Sequence, residues 1–203
     1  GHVIAGAIVD GGNLDWEAAG KWESLTAPDA SYHGLVFSDR FGKGALAAKI
    51  RCSILRDLGG CLSPFNAYLL HLGLATLPLR MARHSENALQ AASFLEAHPQ
   101  VDWVRYPGLS SHPQHGLANR YLPSGSGGMV AFCIKGGVDA GRTFLESLQL
   151  FASVANLGDS RSMALHPAST THGQLSPADR AAAGIEEGLI RLSIGIEDAA
   201  DII

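Results

Sequence analysis

The longest helical pattern in the chain runs from Leu79 to His98, and it constrains what the rest can become. Met81, Ala88, Leu89, Ala92 and Leu95 recur on one side, with Arg83, Glu86, Asn87, Gln90 and Glu96 on the other. A helix of that length with an apolar stripe needs a core to cover, and the residues that follow supply strands for it. Val101 to Arg105, Met129 to Ile134 and Leu189 to Ile194 read as strands, with a short extended piece from Phe151 to Asn156. Helical patterns over Asp139 to Leu148 and Pro177 to Glu187 lie between them, and a polar stretch carries Pro107, Pro113 and Pro123. The mixture predicts an α+β unit.

Upstream of that helix the character differs. Val3 to Val9 is a continuous apolar run bounded by Asp10-Gly11-Gly12-Asn13, the pattern of a strand buried on both faces, as in α/β sheets. Asp15 to Gly42 has no clean period and predicts a long excursion with one short helix. Lys43 to Leu58 is helical in spacing and stops at Gly59-Gly60. Ser63-Pro64 then offers a cap and a first-turn proline for a helix from Phe65 to Leu77, apolar on nearly every side and so expected in the interior. Pro78 restarts the path, and a domain boundary is expected near residue 80, dividing the chain into 1–80 and 81–203. The start at Gly1-His2-Val3, with no initiator Met and no polar lead-in, and the abrupt end at Asp201-Ile202-Ile203 lead to the expectation of a piece of a longer protein.

Composition narrows the partners. Apolar residues make up 46% of the 203 and charged residues 17%, against about 25% charge in an average domain, so much of the chain should be buried. Glycine, at 24, has no period and proline is only 9, so collagen-like and low-complexity readings fail. A net charge of −4 without a basic block argues against nucleic acid or an anionic membrane as partner. The longest apolar tract, Phe65 to Ala82, is broken by Asn66, His71, Pro78 and Arg80, and falls short of the roughly 20 residues of a membrane span. Cys52, Cys61 and Cys133 match neither a disulfide framework nor a Cys-x-x-Cys pair, which favours a reducing, cytoplasmic setting and a role as small buried apolar residues.

Candidate chemistry centres on Arg191. Strand alternation places it on one face with Leu189 and Ser193, and Ile190, Leu192 and Ile194 on the other. A guanidinium there offers a planar fork for a carboxylate; the alternative is a plain surface arginine. A second cluster is Asn156-Leu157-Gly158-Asp159 followed by His166-Pro167-Ala168-Ser169-Thr170-Thr171-His172. A hydrolase triad of Asp159, His166 and Ser169 is disfavoured because no Gly-x-Ser-x-Gly elbow exists. A metal pair of His166 and His172 is disfavoured by spacing, leaving a loop pinned by its own hydrogen bonds. Ser124-Gly125-Ser126-Gly127-Gly128 has a phosphate cradle's composition but leads into a strand rather than a helix. His112-Pro113-Gln114-His115 reads as an exposed turn.

In order along the chain, Gly11-Gly12-Asn13-Leu14-Asp15-Trp16, Leu79-Arg80-Met81-Ala82-Arg83-His84-Ser85-Glu86-Asn87-Ala88, Asn156 to Asp159, His166 to His172 and Gly188 to Asp198 resemble one family. It is the C-terminal half of the PLP-dependent Cys/Met-metabolism (trans-sulfuration) enzymes, and within it the chain is most similar to O-acetylhomoserine sulfhydrylases. The Asp15 to Gly42 insert and the His166 to His172 form favour that group over cystathionine γ-synthase or methionine γ-lyase. The resemblance implies a fold type I transferase portion: the tail of a large α/β domain, then a small α+β C-terminal domain cut short at its end.

The resemblance also implies pyridoxal 5'-phosphate as cofactor, held by a lysine that would lie a few residues upstream of Gly1, so that no catalytic residue is expected in this chain and no metal. Arg191 matches the family's binder of the substrate α-carboxylate, and Asn156 falls where many relatives carry a serine that touches the same group. The implied reaction of the whole enzyme is γ-replacement on O-acetylhomoserine by sulfide, giving homocysteine and acetate. A homotetramer and an inactive isolated chain are expected with it. The other reading is a non-catalytic carboxylate-binding or assembly module.

Overall fold

A computed structural model describes residues 3–203. They fall into two compact units, one ending at His71 and the other running from Leu72 to Ile203.

The first unit is built from short helices. Residues 3–10 form no strand, and Ile4 and Val9 are 95% and 91% exposed. The expected buried strand is therefore corrected: a central strand needs neighbours to complete its hydrogen-bond ladder. Among the described residues of this unit, pairing is limited to an isolated bridge between Asp29 and Leu35. The excursion holds α1 (Trp16–Ala19), capped by the Asp15 carboxylate on the Ala18 N–H, then α2 (Glu23–Thr26) and α3 (Phe37–Phe41). The region expected as one helix from Lys43 is nearly continuous. It consists of α4 (Ala45–Lys49), a π-helical stretch over Ile50–Leu55 and α5 (Arg56–Leu58), and it ends at left-handed Gly59. Trp16, Leu25, Phe37 and Ala45 form the small core.

Ser63 accepts from the Asn66 N–H at 3.1 Å and caps α6 (Pro64–Ala75), where the sequence placed it. The expectation that this helix is interior is not met, because none of its residues is buried. Among the described residues, nothing buries its all-round apolar surface.

The second unit opens with α7 (Leu77–Ala97). Its buried stripe is His84, Asn87, Ala88, Ala91, Ala92 and Leu95. Met81 and Leu89, expected on that side, are 41% and 42% exposed. The polar residues at the stripe's start win the buried positions because backbone carbonyls wait for them. His84 Nδ1 meets the Ile194 carbonyl at 2.6 Å, and Asn87 Nδ2 donates to the carbonyls of Gly195 at 3.1 Å and Glu197 at 2.8 Å.

Strands β1 (Val101–Arg105), β2 (Met129–Ile134), β3 (Ala152–Ser153), β4 (Met163–Leu165) and β5 (Leu189–Ser193) form one sheet in the order β1-β2-β5-β4-β3. All neighbours are antiparallel except β3 with β4. Helix α8 (His115–Tyr121) lies before β2, and α9 (Gly137–Ser147) follows it. Helix α10 (Pro177–Ala182) precedes β5 and α11 (Ala199–Ile202) closes the chain. The extended piece expected over Phe151 to Asn156 shrinks to the two residues of β3, while β4 and α8 were not anticipated.

Val130, Phe132, Ala164, Ile190, Leu192 and Ile194 pack beneath α7 with Tyr106, while Phe144 of α9 meets Phe132 edge-on at 5.5 Å. Both helices thus cover one face of the sheet. Arg191 belongs to the other.

Candidate functional site

The alternation read from the sequence holds in β5: Ile190 and Leu192 are buried in the core, and Leu189 and Arg191 are half-buried opposite. In register, Arg191 stands between Ala131 of β2 and Leu165 of β4, and Ser193 between Met129 and Met163. Arg191 Nη2 donates to the Asn156 main-chain carbonyl at 3.1 Å. The Asn156 side chain serves its own turn, its Oδ1 accepting from the Leu157 N–H at 2.9 Å. The structure thus brings the two sequence candidates together, through the backbone of one. A guanidinium has five N–H donors in a fixed fork, so one bond to a carbonyl leaves most of the fork for an anionic ligand.

The Asp159, His166 and Ser169 set does not assemble as a triad. His166 is fully buried, its Nδ1 2.8 Å from Ser169 Oγ and its Nε2 2.7 Å from the Glu187 carbonyl. A carbonyl only accepts, so Nε2 carries the ring hydrogen and Nδ1 accepts from the serine, the reverse of a proton relay through a carboxylate. Gly141 of α9 covers the ring so closely that a Cβ there would lie 2.5 Å from Nε2. Asp159 instead accepts from the Arg161 N–H at 3.1 Å, and the bonds from Arg161 hold its carboxyl well below the usual carboxylate range. The segment is pinned by its own hydrogen bonds, with Thr170 Oγ1 donating back to the His166 carbonyl at 2.7 Å. His172 meets Thr171 Oγ1 at 2.9 Å. Among the described residues no group of three or more His, Cys, Asp or Glu could hold a metal.

The Ser124 to Gly128 run serves packing. Gly127 N–H donates to Ser85 Oγ at 3.0 Å and its carbonyl accepts from the Tyr106 hydroxyl at 2.9 Å. Burial pushes that hydroxyl's pKa up to about 12, so it stays a donor. His115, assigned to an exposed turn, instead opens α8 and binds the Pro107 carbonyl through Nδ1 at 3.0 Å.

Sequence reasoning missed a third cluster, made by Ser162 and by two of the motifs that carried the resemblance. Glu197 accepts from the Ser162 N–H at 2.6 Å and the Ser162 hydroxyl at 3.0 Å, and that hydroxyl accepts from the Gly195 N–H at 2.9 Å. With His84 and Asn87 these bonds tie the segment after β5 to α7 and to the entry of β4. Their role is to hold β5, and so Arg191, in place. The pairing of one long motif near residue 84 with another near 195 was the signal available.

Comparisons with known proteins identify the family. The family described as Cys/Met metabolism PLP-dependent enzyme matches residues 1–203. O-acetyl-L-homoserine sulfhydrylase 1 of Thermus thermophilus is 48% identical over 202 residues, which cover 100% of this chain and 48% of that protein. The O-acetyl-L-homoserine sulfhydrylase of Leptospira meyeri is 47% identical over 212 residues, again 100% and 48%. The homocysteine synthase of Schizosaccharomyces pombe is 45% identical over 204 residues, with the same shares. A crystal structure from Campylobacter jejuni, described as an O-acetylhomoserine (thiol)-lyase with N'-pyridoxyl-lysine-5'-monophosphate, superposes with a TM-score of 0.80 at 42% identity, covering 89% of this chain and 43% of that one. The chain spans about half the length of the curated relatives it matches.

The described residues do not gather what attachment of pyridoxal phosphate requires. Lys49 is ion-paired with Asp29, Lys135 donates to the Pro99 carbonyl at 2.7 Å, Lys43 lines a cavity with Asn13 and Trp16, and Lys21 is exposed. The glycine-rich run faces protein on its inner side, since a Cβ on Gly125 or Gly128 would meet Ser85 or the Ile194 carbonyl.

Proposed function

Because the chain belongs to the Cys/Met metabolism PLP-dependent enzymes and spans about half of its curated relatives, we propose that it is the carboxylate-binding part of an O-acetylhomoserine sulfhydrylase. The full protein then replaces the acetyl group of O-acetylhomoserine with sulfide, releasing acetate and homocysteine. The observation that carries this reading is Arg191, half-buried in mid-strand with one guanidinium nitrogen held by the Asn156 carbonyl and the rest of its fork available. Pyridoxal phosphate, when bound, supplies the electron sink for an amino-acid substrate. Arg191 grips the α-carboxylate, which orients the substrate and selects the Cα bond that reacts. Asn156 acts through its main chain by steadying that grip.

Proton transfer falls to a lysine outside this chain, so the 203-residue polypeptide alone has no turnover. Its own lysines, placed as described above, support this. The natural full-length protein should have an in-frame lysine segment upstream of Gly1, and mixing this chain alone with pyridoxal phosphate should give no absorbance band that borohydride fixes to it. The full-length enzyme, assayed with O-acetylhomoserine and sulfide against methionine alone, should form homocysteine in the first case. Methionine cleavage as the dominant activity would select the γ-lyase reading instead.

The protein works as a homotetramer in the cytoplasm. Large exposed apolar residues along α6 and the start of α7, such as Phe65, Tyr68, Leu74 and Leu79, support an assembled state that covers them. Light scattering of the full-length protein checks it. Three free cysteines fit a reducing compartment, and among the described residues no helix is long and apolar enough to cross a membrane.

A further inference from the structure

We infer that Ser193 is a positioning residue for the carboxylate site: its buried hydroxyl pins the Asn156-Leu157-Gly158 turn, so that the Asn156 carbonyl braces the Arg191 guanidinium. The inference rests on the reading of Arg191 as the carboxylate binder.

Ser193 lies two residues beyond Arg191 on the same face of β5 and is 3% exposed. A hydroxyl flanked in register by two methionines needs a partner, and Ser193 Oγ accepts from the Gly158 N–H at 3.0 Å. Gly158 has φ +77, and a Cβ built on it meets nothing within 4 Å, so glycine is there for the left-handed backbone rather than for space. That conformation lets the turn set its N–H on Ser193 while the carbonyl two residues earlier reaches Arg191 Nη2. Two same-face residues of β5 thus each take one bond from the same short turn, Ser193 at Gly158 and Arg191 at Asn156.

The chemistry of the brace matters. Arginine has much rotamer freedom to lose, and a bond that holds Nη2 removes part of that freedom before a ligand arrives. A carboxylate in the same place would orient the guanidinium but also neutralise it and compete with the substrate. A carbonyl orients without neutralising. Among the described residues no carboxylate forms an ion pair with Arg191. Ser193 touches neither substrate nor reacting atoms, so its effect should appear in substrate affinity rather than in the chemical step.

The test uses the full-length holoenzyme with Ser193→Ala, Ser193→Thr, Gly158→Ala and Arg191→Lys, measuring KM for each substrate, kcat and melting temperature. Ser193→Ala should raise the KM for O-acetylhomoserine about five- to tenfold, the equivalent of one lost buried hydrogen bond. The KM for sulfide and kcat should stay near wild type. Ser193→Thr retains the hydroxyl and should restore the KM, and Gly158→Ala, which disturbs the same anchor from the loop side, should reproduce the Ser193→Ala pattern. An unchanged KM for O-acetylhomoserine in Ser193→Ala, or a parallel fall of kcat and both affinities without rescue by threonine, overturns the inference. If Arg191→Lys is impaired while Ser193→Ala and Gly158→Ala are not, only the inference falls. If Arg191→Lys binds O-acetylhomoserine normally, the carboxylate reading falls and takes the inference with it.

Discussion

The packing of Gly141 over His166 predicts a mutation whose sign depends on its background. A Cβ at position 141 would lie 2.5 Å from Nε2, 2.7 Å from Cδ2 and 2.9 Å from Cε1 of the imidazole. The ring cannot retreat cheaply, since it is fully buried and held at both nitrogens by Ser169 and Glu187. Overpacking of this kind costs about 3 kcal/mol, against about 1 kcal/mol gained from alanine over glycine inside a helix, so Gly141→Ala alone should destabilise by about 2 kcal/mol. His166→Ala should cost about 3 to 5 kcal/mol, through the cavity and the unpaired Glu187 carbonyl. In that second background the obstruction is gone. Gly141→Ala then keeps its helical gain and should stabilise by about 1 kcal/mol, a coupling of about 3 kcal/mol between the two sites. Urea unfolding of the four proteins by circular dichroism, at matched slopes, measures the cycle. Additivity within about 0.5 kcal/mol would refute the reasoning, because it would mean that residue 141 does not sense the ring.

Other expectations follow from the same geometry. Asn87→Ala, which strips the Gly195 carbonyl of its side-chain donor and leaves the Glu197 carbonyl only the longer bond from Arg83 Nη2 at 3.4 Å, should lower stability by about 2 to 3 kcal/mol in urea titrations. Gly188→Ala would place a Cβ 2.1 Å from the Ile134 carbonyl where β5 leaves its turn, and should destabilise by about 3 kcal/mol in the same measurement. Burial, with Glu186 nearby, pushes the Cys133 thiol up to about 11. It should therefore resist iodoacetamide at pH 8 until urea opens the fold, and rapid labelling by mass spectrometry would contradict this. The hydrogen bond from Lys49 holds the Asp29 carboxyl at about 2, below its usual 3.8. A depressed folded value means the contribution is complete above the unfolded pKa and lost as pH falls towards 2. The melting-temperature gap between wild type and Asp29→Asn should thus be constant near neutrality and close between about pH 4 and 2.

Period-2 alternation made Arg191 legible, because strand geometry assigns faces without any knowledge of neighbours. The α7 stripe was misassigned at Met81 and Leu89 for a definite reason. Counting back in steps of four leads from Leu95 through Ala91 to Asn87, and from Ala92 through Ala88 to His84, polar residues that a hydrophobic count sends to solvent. What reverses that is a set of carbonyls more than 100 residues away. Strand β4, three residues all buried, is too short to show alternation, and α8 buries only Ala118, so neither announces itself. The apolar runs at Val3 to Val9 and in α6 announce burial, which needs partners the described residues do not supply. Asn156 meets Arg191 through its main-chain carbonyl, a contact that no side-chain motif encodes.

The most direct measurement is the steady-state kinetics of Arg191→Lys in the full-length holoenzyme, varying O-acetylhomoserine and sulfide in turn. Lysine keeps the charge and loses the planar fork. A loss of about 1.5 to 3 kcal/mol in transition-state stabilisation is expected, about 10- to 150-fold in kcat/KM for O-acetylhomoserine, with the KM for sulfide unchanged. Wild-type kcat/KM for O-acetylhomoserine in that variant would contradict the assignment of Arg191 to the substrate carboxylate.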